Sequence, residues 1–183
     1  MINYPWPADW KLTELENVAL ISTGCSYRIL DFPNDDLNEV IVIDKIDEHY
    51  MELSDCKYMK ITEREIVKYK LRKDDIVFCH RNSPKHLGKM IRFNSVEKVI
   101  HTSKFLRIRT LDFYDSQFME LVLSMYRDSG ILSHMASQYT NLQSLALARL
   151  KKLKVPMITL DKQKQAIRLY GLKSEPELYG PGR

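Results

Sequence analysis

Up to Leu111 the apolar residues come in short β-branched runs or alternate with polar ones; beyond it they recur at helical spacing. Residues 12–23 predict a short helical turn running into a strand that Gly24 closes. Residues 31–38 predict a loop, and Glu39-Val-Ile-Val-Ile-Asp44 a β-branched strand. A turn over Tyr69–Asp75 feeds a strand at Ile76–Cys79. Arg81 to Lys89, broken by Pro84 and Gly88, predicts a loop. Met90–Phe93, Val99–His101 and Phe105–Arg109 predict three more strands; the last alternates apolar and basic side chains, as a half-buried strand does.

Phe118, Leu121, Val122 and Met125 form an i, i+3, i+4, i+7 stripe, so a helix is expected over about 115–129. Asp115 or Ser116 caps its start and Gly130 closes its end. A second helix over 144–153 stops before Val155-Pro156, because the residue before proline avoids helix. A third, capped by Asp161, runs through Gln163, Ile167 and Tyr170 to Gly171. Strands first and helices later predict an α+β fold, a twisted β core over about 17–109 followed by three helices. One domain is expected over 1–171. A flexible tail is expected over 172–183, since its last ten residues hold two prolines and two glycines.

The length of 183 residues fits one core with a short appendage, and no repeat or low-complexity linker divides it. No apolar run reaches the ~18 residues of a membrane span, and the first ten residues lack the basic-then-apolar order of a signal peptide. Cys25, Cys56 and Cys79 are odd in number and far apart, which fits free thiols better than a disulfide framework or a zinc knuckle. A cytoplasmic location is the expectation. The net charge of +4 is modest, but residues 31–60 carry 9 acids and 3 bases, whereas residues 61–110 carry 13 bases and 5 acids. A basic middle in a nearly neutral chain points to one positive face, for which nucleic acid is the natural partner.

No motif for nucleophilic hydrolysis, zinc proteolysis, phosphate cradling or dinucleotide binding is present. His49, His80, His86, His101 and His134 lack the spacing of a helical metal site, so neither metal nor cofactor is expected. Asp74-Asp75 could serve a metal-dependent nuclease, but Glu97-Lys98 lacks the spacing of the carboxylate and lysine such a site needs, and a turn before a buried strand is the better reading. Three polar segments are better candidates for binding. His80–Lys89 offers Arg81, Lys85, His86 and Lys89 for phosphates, and Asn82 for paired hydrogen bonds to adenine; Arg81 can instead read guanine. Ser137–Gln143 offers Tyr139, Asn141 and Gln143, and Thr23–Arg28 offers Tyr27 and Arg28. Loops of this kind on a rigid core form a DNA-reading face.

The order of segments resembles the target-recognition domain of type I restriction-modification specificity subunits. Pro7-Ala-Asp-Trp10, the following Leu-Glu-Asn-Val segment and Gly24 are similar to that family's start. Leu71-Arg-Lys-Asp-Asp-Ile-Val77 with Gly88-Lys89 looks like its "leucine-x-x-glycine-aspartate-isoleucine … glycine-lysine" segment, with Asp74 in the glycine's place. Thr140–Ser144, Leu150–Pro156 and Leu160-Asp-Lys-Gln163 with Ile167 resemble the closing run. There Lys162 replaces a glutamate and Met157 the second member of a proline-rich pair. The likeness covers roughly residues 7–170.

The resemblance implies a non-catalytic, sequence-specific reader of double-stranded DNA. It implies partnership with a DNA adenine methyltransferase subunit and a restriction subunit, and the half-size form of a two-domain subunit. The family's long spacer helix would follow Ile167, where Gly171 and Pro176 interrupt it. The alternatives are a small metal-dependent nuclease and an interaction protein of a defence system that binds no DNA.

Overall fold

The computed structural model describes residues 4–26, 38–46, 51–52, 56–139, 141–170 and 178–179. β1 (Leu12–Glu14) leads through a 3-10 turn at Leu15–Asn17 into β2 (Ala19–Thr23). β3 (Asn38–Ile43), β4 (Met51–Glu52) and β5 (Lys57–Ile61) precede α1 (Glu63–Tyr69). β6 (Ile76–Cys79), β7 (Arg81–Asn82), β8 (Met90–Arg92), β9 (Val99–His101) and β10 (Phe105–Thr110) complete the strand-rich half. Then come α2 (Ser116–Asp128), α3 (Ile131–Met135), β11 (Ser137–Tyr139), β12 (Leu142–Ser144), α4 (Leu147–Lys151), β13 (Lys154–Pro156) and α5 (Leu160–Tyr170). A last strand, β14 (Leu178–Tyr179), pairs with β4 in parallel.

The α+β expectation stands, but not its simple order. The described residues hold five helices rather than three, with α1 inside the strand-rich half and strands interleaved among the later helices. The helix expected over 144–153 starts at Leu147, because Leu142–Ser144 is drawn into a ladder with β7. Asp161 lies in the first turn of α5 rather than at its cap. Asp115 does cap α2, accepting from the backbone N–H groups of Gln117 and Phe118. Gly130, at φ 77°, makes the left-handed turn between α2 and α3. The 31–38 loop lies outside the described residues apart from Asn38, and the C-terminal tail apart from Leu178–Tyr179.

An antiparallel sheet in the order β2-β10-β6-β8 carries the main core. Its central strand β6 is buried at all four positions because both faces are covered. Ile76 and Phe78 point toward Phe118, Val122 and Tyr126 of α2. Val77 and Cys79 point the other way, toward Ile43 and Val99 of a second sheet ordered β5-β3-β9. α1 covers the far side of that second sheet through Ile66, which packs with Val40, Val42 and Ile100.

The two ends of the described domain are zipped together. β1 pairs antiparallel with β13, Leu12 opposite Pro156. Trp6 donates from Nε1 to the Tyr126 hydroxyl at 2.6 Å, and that hydroxyl donates to the Lys154 carbonyl at 2.8 Å. Trp6 stacks on Trp10, with ring centroids 5.6 Å apart, over Phe118.

Candidate nucleic-acid interface

The binding segments expected from sequence are separated by tens of residues along the chain, and two of them share one small sheet. β11 and β12 form a hairpin, and β12 pairs with β7 so that Gln143 faces Asn82 and Ser144 faces Arg81. The polar stretch 137–143 is therefore a β-hairpin, not a loop. The stretch 81–89 begins as a strand before turning at Pro84–Gly88. Gly88 turns with φ 78° against Leu132 and Arg127, fixing the return into β8.

The third segment reaches the same place through the turn after β9. The Cys25 N–H donates to the His101 carbonyl and the Ser103 N–H to the Cys25 carbonyl, each at 2.8 Å. His80 spans the gap, with Nδ1 3.2 Å from the Leu145 carbonyl oxygen and Nε2 3.1 Å from that of Ser103. Thr23 is exposed at the end of β2, while Tyr27 and Arg28 lie outside the described residues.

Between these parts opens a cleft of about 550 Å³. Among the described residues Lys45, Arg81, His86, Lys89 and Lys104 line it, with the carboxylate Asp44, which is paired with Lys57 at 2.7 Å. Cys79 and Phe105 contribute to its floor. Burial holds the Cys79 thiol above its ordinary pKa, outweighing the Asn82 amide and the cations at Lys89 and Lys104 that pull the other way. A protonated, buried thiol is a poor nucleophile, so the cleft offers cations and hydrogen bonds rather than a reacting group.

The expected residues divide by exposure. Arg81, Lys85 and Asn141 face solvent, and His86 is half-buried. Lys89 and Gln143 are buried, at 9% and 8% exposure, so neither side chain projects freely toward a duplex. Gln143 Oε1 accepts no hydrogen bond among the described residues. The Asn82 amide is engaged locally: its Oδ1 accepts from Ser83 N–H at 2.8 Å and its Nδ2 donates to Cys79 Sγ at 3.7 Å. The side chain of Tyr139 lies outside the described set. Sequence reasoning missed Lys45 and Lys104; each sits one or two positions beyond a predicted strand end, the place where strand tips present side chains to a common edge.

Asp74 and Asp75 do not form a metal site. Asp75 is 1% exposed and grips Arg109 with both oxygens at 2.6 Å, while also accepting the Arg72 N–H at 2.7 Å. Asp74 binds Arg92 at 2.9 Å, and Arg92 also binds Glu120. Their lone pairs serve structural arginines, which counts against the alternative of a metal-dependent nuclease and fits the turn before a buried strand. No group of three or more potential metal ligands occurs among the described residues. No described helix is long and apolar enough to cross a membrane.

No family profile matches the chain. It is 26% identical over 171 residues to the MjaX type I restriction enzyme specificity subunit of Methanocaldococcus jannaschii, covering 89% of this chain and 39% of that one. Its fold is similar to that of the type I restriction-modification S subunit from M. genitalium, with a TM-score of 0.54, 14% identity, and coverage of 88% of this chain and 38% of that one. It is also similar to the HsdS subunit from Thermoanaerobacter tengcongensis, at a TM-score of 0.58 and 15% identity over 90% of this chain and 37% of that one. The chain thus spans about two fifths of the length of the relatives it matches. It is therefore similar in sequence to one type I restriction enzyme specificity subunit and in fold to two solved specificity subunits, in each case over about two fifths of that protein.

Proposed function

We propose that the chain is a non-catalytic, sequence-specific reader of double-stranded DNA, the specificity component of a type I-like restriction-modification system. It directs a complex containing a DNA adenine methyltransferase subunit, with or without a restriction subunit, to its site in the cytoplasm. The observation that supports this reading is the pairing of two polar segments, 81–89 and 137–143, beside a cleft lined by Lys45, Arg81, His86, Lys89 and Lys104, in a chain similar to specificity subunits.

Within that face the exposed residues divide by chemistry. Arg81 and Asn141 have planar groups able to make paired hydrogen bonds to one base, and they read sequence. Lys85 and His86, joined by Lys45 and Lys104, hold phosphates and register, and the buried Lys89 adds its positive charge to the cleft. Asn82 and Gln143 shape the sheet that presents Asn141, and Tyr27, Arg28 and Tyr139 are further DNA contacts expected from the sequence. The buried Asp75–Arg109 pair and the protonated Cys79 support a binding role over a chemical one.

The test is selection of duplexes from a randomised pool by the full chain, followed by variants on the selected sequence. Arg81→Ala and Asn141→Ala are expected to cost ~1–3 kcal/mol and to relax preference at one position each. Lys85→Ala is expected to weaken selected and scrambled duplexes alike. A pool that yields no enriched sequence refutes the reading.

A further inference from the structure

The small sheet formed by β11, β12 and β7 presents an apolar side chain among cations. Along β12 the side chains alternate. Gln143 and the following Leu145 turn inward, at 8% and 0% exposure, so Leu142 and Ser144 turn outward. Leu142 is 45% exposed. Arg81 stands opposite Ser144 in the ladder and therefore shares the outward face. Leu142 and Arg81 both line the cleft. Its other apolar lining groups among the described residues, Ile46, Cys79 and Phe105, are buried in the core between the main and second sheets.

An exposed leucine by itself is ordinary; its place here is not. Arg81 on the same face, with Lys45 and Lys104 along the cleft, attracts a polyanion, and a leucine held there meets what that polyanion presents between its phosphates. A two-stranded ribbon fits the major groove of a duplex, ~12 Å wide, and is too broad for the minor groove at ~6 Å. The base edges in the major groove carry hydrogen-bond donors and acceptors, and one distinguishing apolar group, the 5-methyl of thymine. A leucine pressed against a donor or acceptor strips its water and returns nothing. Against the methyl it buries apolar surface on both sides. The ladder also acts as a ruler. Leu142 and Arg81 are diagonal neighbours, ~7–8 Å apart. Base pairs stack at ~3.4 Å, so the two residues address positions about two base pairs apart.

We propose that Leu142 is a specificity-determining residue that reads a thymine through its 5-methyl group, about two base pairs from the base that Arg81 contacts. The inference rests on the DNA-reading proposal above and names a chemical feature that the sheet selects. The outward face then carries two kinds of readout. Arg81 reads by paired hydrogen bonds, and Leu142 reads by an apolar contact to which screening by salt is indifferent.

The test uses the full chain and the duplex enriched from a randomised pool. Each thymine is replaced in turn by deoxyuridine, which removes the methyl and keeps every hydrogen-bonding group. At one position the replacement is expected to weaken binding by the parent about fourfold, the worth of one buried methyl-sized group. It should leave binding by Leu142→Ala unchanged, because the methyl's partner is already gone. Leu142 is exposed, so that truncation leaves the core intact. Leu142→Met keeps an apolar side chain of similar volume and should retain the response. Arg81→Ala should also retain it, and the position at which Arg81→Ala relaxes preference should lie about one to three base pairs away. A selected duplex in which no thymine responds, or a response that persists in Leu142→Ala, overturns the inference and leaves the DNA-reading proposal standing. So does a Leu142→Ala loss shared equally by selected and scrambled duplexes, the mark of a wedge between base steps. A pool with no enriched sequence refutes the DNA-reading proposal itself and the inference with it.

Discussion

Gln163 offers a sharp quantitative test of why the closing segment of the domain has the sequence it has. Its side chain is fully buried. Its Oε1 accepts the Asp115 N–H at 2.7 Å, at the cap of α2, and its Nε2 donates to the carbonyls of Ile158 at 2.8 Å and Phe113 at 3.3 Å. One amide therefore satisfies three backbone groups on two sides of the α2–α5 contact. Gln163→Leu keeps the volume and removes all three bonds. Each lost partner leaves a buried backbone group costing ~1–3 kcal/mol, and the long Phe113 bond belongs at the low end, so the expected loss is ~3–5 kcal/mol. At about 2–4 °C per kcal/mol for a domain this size, the midpoint of thermal unfolding should fall by roughly 6–20 °C. Urea unfolding should show a lower midpoint with an unchanged slope. Gln163→Glu should be at least as damaging at neutral pH, because a carboxylate still accepts from Asp115 but opposes two carbonyl oxygens. Acid should recover part of the loss, since a protonated carboxyl donates once. A loss below about 1 kcal/mol for Gln163→Leu would refute this reasoning.

Three further outcomes are expected. His101 is fully buried, and burial and then the Arg107 charge lower its pKa from 6.5 to about 4. The unfolded chain then binds the proton that the folded chain refuses, so stability should decline by about 3 kcal/mol as pH falls from 6.5 to 4, and His101→Phe should flatten that part of a urea-midpoint-versus-pH profile. Asp74 sits at φ 69°, where an L side chain is strained, so Asp74→Gly should be neutral or stabilising by up to ~1 kcal/mol after losing its half-exposed pair with Arg92; Asp74→Val should destabilise by ~1–2 kcal/mol in the same assay. A Cβ at Gly24 would overlap the backbone carbonyl oxygens of His101 and Thr102, so Gly24→Ala should cost about 3 kcal/mol or more, or prevent soluble expression.

Much of the fold was legible because its signals are local. Ile76–Cys79 is a strand buried on both faces, and the Phe118 stripe of α2 is capped by Asp115 as its sequence implies. The glycine position occupied by Asp74 proved informative in a different way: the backbone there is left-handed all the same, so the turn keeps its geometry and the aspartate bears the strain. α1 was missed although its signal is local too. Thr62 and Glu65 form a reciprocal capping box, with Thr62 N–H bonded to Glu65 at 3.1 Å, and only one buried residue, Ile66, marks the helix face. The hairpin at 137–144 was illegible for a stronger reason: Ser, Gln and Asn carry no strand signal, and its ladder depends on pairing with β7, some sixty residues away. The same non-local pairing decides the binding face. Residue type singled out Asn82 and Gln143, but burial and the local bonds of Asn82 are set by the partner strand, and Lys45 and Lys104 come into view only when their strand ends meet.

The central claim is that the cleft and its surrounding segments read duplex DNA by sequence. The most direct measurement is the ratio of affinities of the full chain for its selected duplex and a scrambled one, taken at two salt concentrations. The account predicts that both affinities fall steeply with salt, because neutralised phosphates release counterions, while the ratio stays at about a hundredfold or more. A ratio near one at both salt concentrations, or binding indifferent to salt, would contradict it.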